Sequence, residues 1–278
     1  MKKQIAFVLA GILALTLAGC GSSNSNNSSS SNTDQENVTL KIGASPTPHA
    51  EILYAAQDLL AEKGITLEVV EFVDYVQPNQ ALEDGELDAN YFQHGPYLEW
   101  FNEEYGTHLE ELCKVHYEPM GIYSTKITDL ADLPDGAKVG IPNDGTNGAR
   151  ALLLLESAGL ITLDPEAGIA ATKLDIKENP KNLEIVEAEA AQLPLSIDDL
   201  DIAVINGNYA LQGGFNVTED ALVMEDAESV AAKTYANIVA VKEGASSEAL
   251  DTLVEVLHSE EIQNYINENY QGAVAPIQ

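Results

Sequence analysis

From Gly21 to Asn37 the chain reads GSSNSNNSSSSNTDQEN, a stretch without one apolar side chain. Such a segment has nothing to bury in a core and behaves as a flexible tether. Whatever folds must begin near Val38. A chain of 278 residues leaves room after that point for two lobes of roughly 100–130 residues each. Hydrophobic residues make up 45% of the chain, enough for an ordinary globular core, so the body needs no disulfide staples to fold.

Ahead of the tether, MKKQIAFVLAGILALTLAGC places Lys2 and Lys3 before an almost wholly apolar run. A basic start, a short apolar run and small residues at its end make an export signal, too short for a comfortable transmembrane helix. The plainer alternative is a buried helix or an uncleaved anchor. Leu17-Ala18-Gly19-Cys20 resembles the bacterial lipobox, in which the cysteine thiol is diacylated and becomes the new N-terminus. Two acyl chains are about what stable anchoring takes. The expected layout is a signal peptide at 1–19, lipidated Cys20 with its tether through 37, and a folded body on the extracytoplasmic face of the cell membrane. Cys113 is then the one ordinary cysteine, read as a small buried residue rather than a catalytic thiol. With 45 acidic against 13 basic residues the net charge is −32, which repels phosphate backbones and excludes a general nucleic-acid binder.

Past Val38 the hydrophobic period switches repeatedly between two and 3.6. Val38, Leu40 and Ile42 alternate as a strand; Ile52, Leu53, Ala56, Leu59 and Leu60 form a helical stripe within His49–Lys63; Ile65–Phe72 is a second strand. Short helices follow at 77–84 and 95–105, a brief strand near Leu87–Asn90, and an extended run at Lys114–Ser124. A second set comprises strands at Ala137–Ile141, Leu183–Ala188, Leu200–Ile205 and Tyr235–Val241, a helix at Asn147–Gly159, and two closing helices, the first carrying Leu250, Leu253, Val254 and Leu257. No element can be assigned within 162–182. Strand–helix alternation means an α/β fold, and two such units suggest two lobes with ligands held beyond the strand ends.

Arg150 is the sole arginine. It follows a strand end and turn, Ile141-Pro142-Asn143-Asp144-Gly145-Thr146-Asn147-Gly148-Ala149, at the start of a leucine-rich helix. A helix N-terminus together with a planar guanidinium suits a carboxylate; a surface arginine paired to a neighbouring acid is the alternative. Asp201-Ile202-Ala203-Val204-Ile205-Asn206-Gly207 runs an apolar strand into an amide, which is either a ligand-binding side chain or a helix N-cap. Asn237 interrupts the apolar strand Tyr235–Val241 and needs a partner if buried. Tyr75, Phe92 and His94, at element ends, can wall a pocket for an apolar or sulfur-containing side chain, although aromatics more often serve the core. A zinc site from His49, His94, His116 and Glu118 is the rival reading, yet no His-x-x-x-His pair supports it. No nucleophile elbow, glycine-rich phosphate loop or Cys/His signature points to an enzyme.

Ser45-Pro46-Thr47-Pro48-His49-Ala50-Glu51-Ile52, Asp74-Tyr75-Val76-Gln77-Pro78-Asn79, Asp88-Ala89-Asn90-Tyr91-Phe92-Gln93-His94, Ile141-Pro142-Asn143-Asp144 with Thr146-Asn147, Val204-Ile205-Asn206 and Gly272-Ala273-Val274 together resemble the NlpA-type lipoproteins. These are methionine-binding substrate receptors of bacterial ABC importers. The resemblance implies a two-lobed periplasmic-binding-protein fold, type II-like, with crossover strands near Tyr123–Lys126 and Thr234–Asn237. Lobe 1 would be 38–124 plus 236–278 and lobe 2 would be 125–235. It implies a thioether pocket of Tyr75, Phe92 and His94 with Tyr91 beside them, Arg150 on the α-carboxylate, and Asn147, Asn206 and Asn237 on the carboxylate and ammonium. The expected ligand is L-methionine, with another amino acid or a methionyl dipeptide as alternatives. The expected partners are an ABC permease and, through the lipid, the membrane; no cofactor or metal is expected. Gly145 stands where the family often has proline and Ala149 where it often has glycine.

Overall fold

The computed structural model describes residues 38–226 and 233–277. Cys20, the signal and the tether lie outside the described residues. No helix among the described residues is long and apolar enough to cross a membrane.

Strands β1 (Val38–Ala44), β2 (Ile65–Glu71), β3 (Ala89–His94) and β4 (Leu109–Tyr117) build most of one sheet. Strands β5 (Gly121–Tyr123), β6 (Lys138–Pro142), β9 (Glu184–Ala188), β10 (Ile202–Ile205) and β11 (Val223–Met224) build another. The chain then returns to the first sheet with β12 (Asn237–Lys242) and β13 (Ala275–Pro276). The orders are β13-β4-β12-β3-β1-β2 and β11-β5-β10-β6-β9. This is the two-lobed periplasmic-binding-protein fold, with the chain crossing twice between lobes. The first crossing is 118–120, since β5 already pairs with β10 and β11, rather than near Tyr123–Lys126. Residues 162–182, where no periodicity is legible, hold a two-stranded ribbon of β7 (Thr162–Leu163) and β8 (Ile176–Glu178), too short to leave a pattern.

The first sheet is covered by α1 (Glu51–Glu62), which buries Ile52, Leu53, Ala56 and Leu60 against it. Further along the chain α2 (Gln77–Glu83), α3 (Gly95–Tyr105), α4 (Gly145–Ser157), α5 (Gly207–Gln212) and α6 (Val217–Asp220) follow. The closing pair is α7 (Glu248–Leu257) and α8 (Glu260–Tyr270). Leu250, Leu253 and Leu257 of α7 enter the same core as α1, and Val254 packs at its margin. Helix α4 sends Leu152, Leu154 and Leu155 into the core of the second sheet. Cys113 sits buried in the first core, and burial pushes its thiol up to about 12, which makes it an inert apolar residue.

Register sets up the site. β12 pairs antiparallel with β3 and β4 at once, so Asn237 lies opposite both His94 and His116. In the second sheet β6 and β10 run parallel and end together, delivering α4 and α5 to the same rim.

Candidate functional site

The strand ends face a space of about 320 Å³ between the lobes, part of it open to solvent. Tyr75, Phe92, Gln93, His94, Tyr97 and Asn237 line it from the first lobe; Asn147, Arg150, Asn206, Gly207 and Asn208 line it from the second, with Glu118 at the first crossing.

Aromatic rings make one wall. Tyr75 lies 5.8 Å from Phe92, 5.7 Å from Tyr97 and 4.7 Å from Tyr209, ring centre to ring centre. Tyr91 is elsewhere. Successive strand residues point to opposite faces, so beside Phe92 it enters the first core, where its hydroxyl bonds His116 Nδ1. The expectation that Tyr91 joins Tyr75, Phe92 and His94 is corrected by that alternation. His94 Nδ1 accepts from the Tyr97 backbone N–H at 3.1 Å, so Nε2 carries the proton and donates to Asn147 Oδ1 at 3.1 Å. Burial first, then the charge of Arg150, lowers its pKa to about 3, so the ring is neutral.

Polar groups make the opposite wall. Helix α4 begins where Asp144 caps it, its side chain accepting from the N–H groups of Thr146 at 3.2 Å and Asn147 at 2.8 Å. The Asn147 amide also donates to Asp144, which turns its Oδ1 to accept from both His94 and, at 2.7 Å, Asn206 Nδ2. Asn206 holds the N-cap position of α5 but makes no capping bond; its Oδ1 is buried and without a partner among the described residues. Asn208 Oδ1 accepts from the Tyr75 hydroxyl at 2.5 Å while its Nδ2 is buried and without a partner among the described residues. An acceptor and a donor, both desolvated and facing one cavity, are what a ligand with both kinds of group would satisfy. At Gly145 a side chain would meet the Trp100 ring nitrogen at 2.7 Å, so the small residue suits this chain's packing.

Arg150 is buried, not superficial, and it does pair with an acid. Nε donates to Glu225 Oε1 at 2.8 Å and Nη2 to Oε2 at 2.5 Å, and Nη2 also donates to the Glu118 carbonyl at 2.9 Å. Its guanidinium carbon lies 4.4 Å from the Tyr235 ring centre. Burial works against the protonated guanidinium, and Glu225 outweighs it. Burial likewise pushes Glu225 up, but Arg150, the Met120 N–H and the Tyr117 hydroxyl more than reverse this and hold its carboxyl below the usual range.

Behind the cavity His49, His116 and Glu118 converge, all buried, with ligand-type atoms within 4.8 Å of one another. By residue type they are the group that suits a metal ion among the described residues; His94 is not part of it. Hydrogen bonds already organise the cluster. His116 Nε2 donates to Glu118 Oε1 at 2.7 Å, and His49 Nε2 donates to Asn237 Oδ1 at 2.9 Å with Glu118 Oε1 at 3.4 Å. So His49 is the partner that Asn237 needs. Tyr97 and Glu225 are missing from the sequence reading, Gln93, Gly207 and Asn208 lie in or beside its motifs without being named as site residues, and Glu118 entered it only as a zinc ligand. Asn208 lies two residues past Asn206, in the first turn of α5.

Two α/β lobes joined by two crossings, with an aromatic wall facing a polar one, define a substrate-binding protein of the kind that serves ABC importers. The chain belongs to the NlpA lipoprotein family, which it matches over residues 40–278. It is 43% identical to the methionine-binding lipoprotein MetQ of Bacillus subtilis over 282 aligned positions, covering 100% of this chain and 99% of that protein. A structure from Ruminococcus gnavus is 55% identical with a TM-score of 0.85, covering 86% of this chain and 99% of that one. A nutrient-binding protein from Burkholderia cenocepacia, solved bound to methionine, is 41% identical with a TM-score of 0.82, covering 86% and 100%.

Proposed function

We propose that this protein captures methionine between its lobes and delivers it to an ABC importer permease, anchored outside the membrane by a diacylated Cys20. The observation that carries the reading is the cavity's division into an aromatic wall and a polar wall. The rings of Tyr75 and Phe92 suit a thioether. The Arg150 guanidinium, which lines the cavity, suits a carboxylate, and the buried Asn206 Oδ1 suits an ammonium N–H. His94, Asn147 and Asn237 orient these groups. The likeness to the methionine-bound Burkholderia protein supports the same ligand. We place the lobes at 38–117 with 237–277 and at 121–224. Only a closed form lets both walls touch one ligand, so binding draws the lobes together. No bond of the ligand is broken.

The test is calorimetric titration with the twenty amino acids and glycyl-methionine, after unfolding and refolding to strip any carried ligand. Methionine binding that disappears in Arg150→Ala and weakens in Asn237→Ala, with both variants folded, supports the assignment. Unchanged affinity in both overturns it. Binding confined to another amino acid or to the dipeptide replaces the cargo, and loss of binding on chelation favours a zinc receptor built on His49, His116 and Glu118.

A further inference from the structure

Arg150 comes from α4 of the second lobe, yet the groups that hold its guanidinium belong to the two crossings. Glu225, one residue past β11, opens the second crossing and accepts from two of its N–H groups; the Glu118 carbonyl of the first crossing accepts from another. Tyr235 stands at the far end of the second crossing, two residues ahead of Asn237, where β12 begins. Its ring centre is 4.4 Å from the guanidinium carbon, against 5.8 Å for that of Tyr117. The same ring meets His94 of the first lobe with ring centres 5.1 Å apart and planes at 71°. Arg150 and His94 line the cavity from opposite lobes, and the buried Tyr235 packs behind both. Its hydroxyl is buried and without a hydrogen-bond partner among the described residues, so what Tyr235 offers Arg150 is its π face. Cation–π attraction is strongest with both partners desolvated, as here. A carboxylate holds a guanidinium by occupying its N–H donors, whereas a ring face holds the charge and occupies none of them. Where one guanidinium serves a resident carboxylate and an arriving one, such a hold fixes the cation without competing with either.

Resting on the reading above, we propose that Tyr235 is a positioning residue for carboxylate recognition: its ring holds the Arg150 guanidinium where the carboxylate of methionine meets it, and ties that contact to the second crossing. Tyr235 acts on the ligand through Arg150. Arg150 moves with the second lobe and Tyr235 with the chain entering the first, so a contact between them favours the lobe arrangement seen here. Its loss is therefore read in ligand affinity.

The experiment titrates the full chain in detergent, stripped of ligand by refolding, with methionine and with methioninamide, whose carboxylate is replaced by a neutral amide. Tyr235→Leu keeps an apolar contact but no π face; it should bind methionine about 10- to 30-fold more weakly, while its affinity for methioninamide stays within about 3-fold of native. Tyr235→Phe loses only the unpartnered hydroxyl and should bind methionine within about 3-fold of native. A singly and then a triply fluorinated phenylalanine at the same position keep the ring's shape and weaken its π face, so methionine affinity should fall stepwise. That series stands even where the leucine variant fails to fold. Native-like methionine affinity in a folded Tyr235→Leu overturns the proposal, as does a flat fluorination series. Equal loss of methionine and methioninamide also overturns it, by marking the ring as packing alone, and weak binding by Tyr235→Phe does so by assigning the effect to the hydroxyl. If the native protein binds no methionine, the cargo reading falls first and this one with it; the other failures leave the cargo reading intact.

Discussion

Acidification from pH 7.5 to 5.5 should weaken the fold through three histidines. His49, His94 and His116 are fully buried, and desolvation lowers their pKa values to about 4, about 3 and about 3. In the unfolded chain each titrates near about 6.5. Between those limits the unfolded state binds protons that the folded state refuses, so stability falls as pH drops through 6.5 and the loss ends only below the folded values. One pKa unit corresponds to about 1.4 kcal/mol, and the interval spans about one unit of unfolded-state protonation per histidine. Three histidines therefore remove about 4 kcal/mol. For a body of this size that lowers the melting temperature by about 8–16 °C. Glu118 works the other way, because a carboxyl raised in the folded state adds stability as pH falls toward it. The assay is thermal unfolding by circular dichroism at constant ionic strength, which also keeps the repulsion within a chain of charge −32 steady. A melting temperature that moves by less than about 3 °C would refute the reasoning. So would imidazole NMR signals from the folded protein that titrate near the unfolded value.

Glu225→Gln strands the buried Arg150 guanidinium and should cost about 3–5 kcal/mol in urea unfolding; replacing both partners by methionine should cost less, and the opposite ranking would deny that the pair is desolvated. Gly207→Ala places a methyl group 2.7 Å from Glu118 Cβ, so about 1–3 kcal/mol of stability should go together with methionine affinity. A variant as stable and as tight as the native protein would show that the loop yields freely.

What could be read from residues alone was set by rarity and by period. Arg150 stood out because nothing else in the chain shares its chemistry, and its place after a strand end led to the cavity. Asn206 and Asn237 stood out as amides set against apolar strands. Glu225 had no such contrast. It is one of 45 acidic residues, and only the fold, bringing it 75 positions back to Arg150, distinguishes it. Glu118 was visible only through its spacing with His116, which suggests a metal ligand; that it also lines the cavity shows only in the fold. Tyr91 was misplaced for a different reason: membership of an aromatic motif was given precedence over strand alternation, although alternation decides which way a side chain points. The ribbon within 162–178 stayed hidden because strands of two and three residues carry no measurable period.

The layout of the first sheet also governs when this molecule can begin to exist. Its central strand β12 is made of residues 237–242, yet it must slot between β3 and β4, which are made far earlier. The buried tie between His49 and Asn237 spans 188 positions, and Tyr270 reaches back 222 to the Pro48 carbonyl. Closure over such separations is slow and cannot be completed by a partial chain. A polypeptide threaded through a membrane pore from its leading end would keep β3 and β4 apart until the last quarter had emerged. That delay favours passage in an extended state, and it exposes the waiting strand edges to any chaperone, or any aggregate, that meets them first.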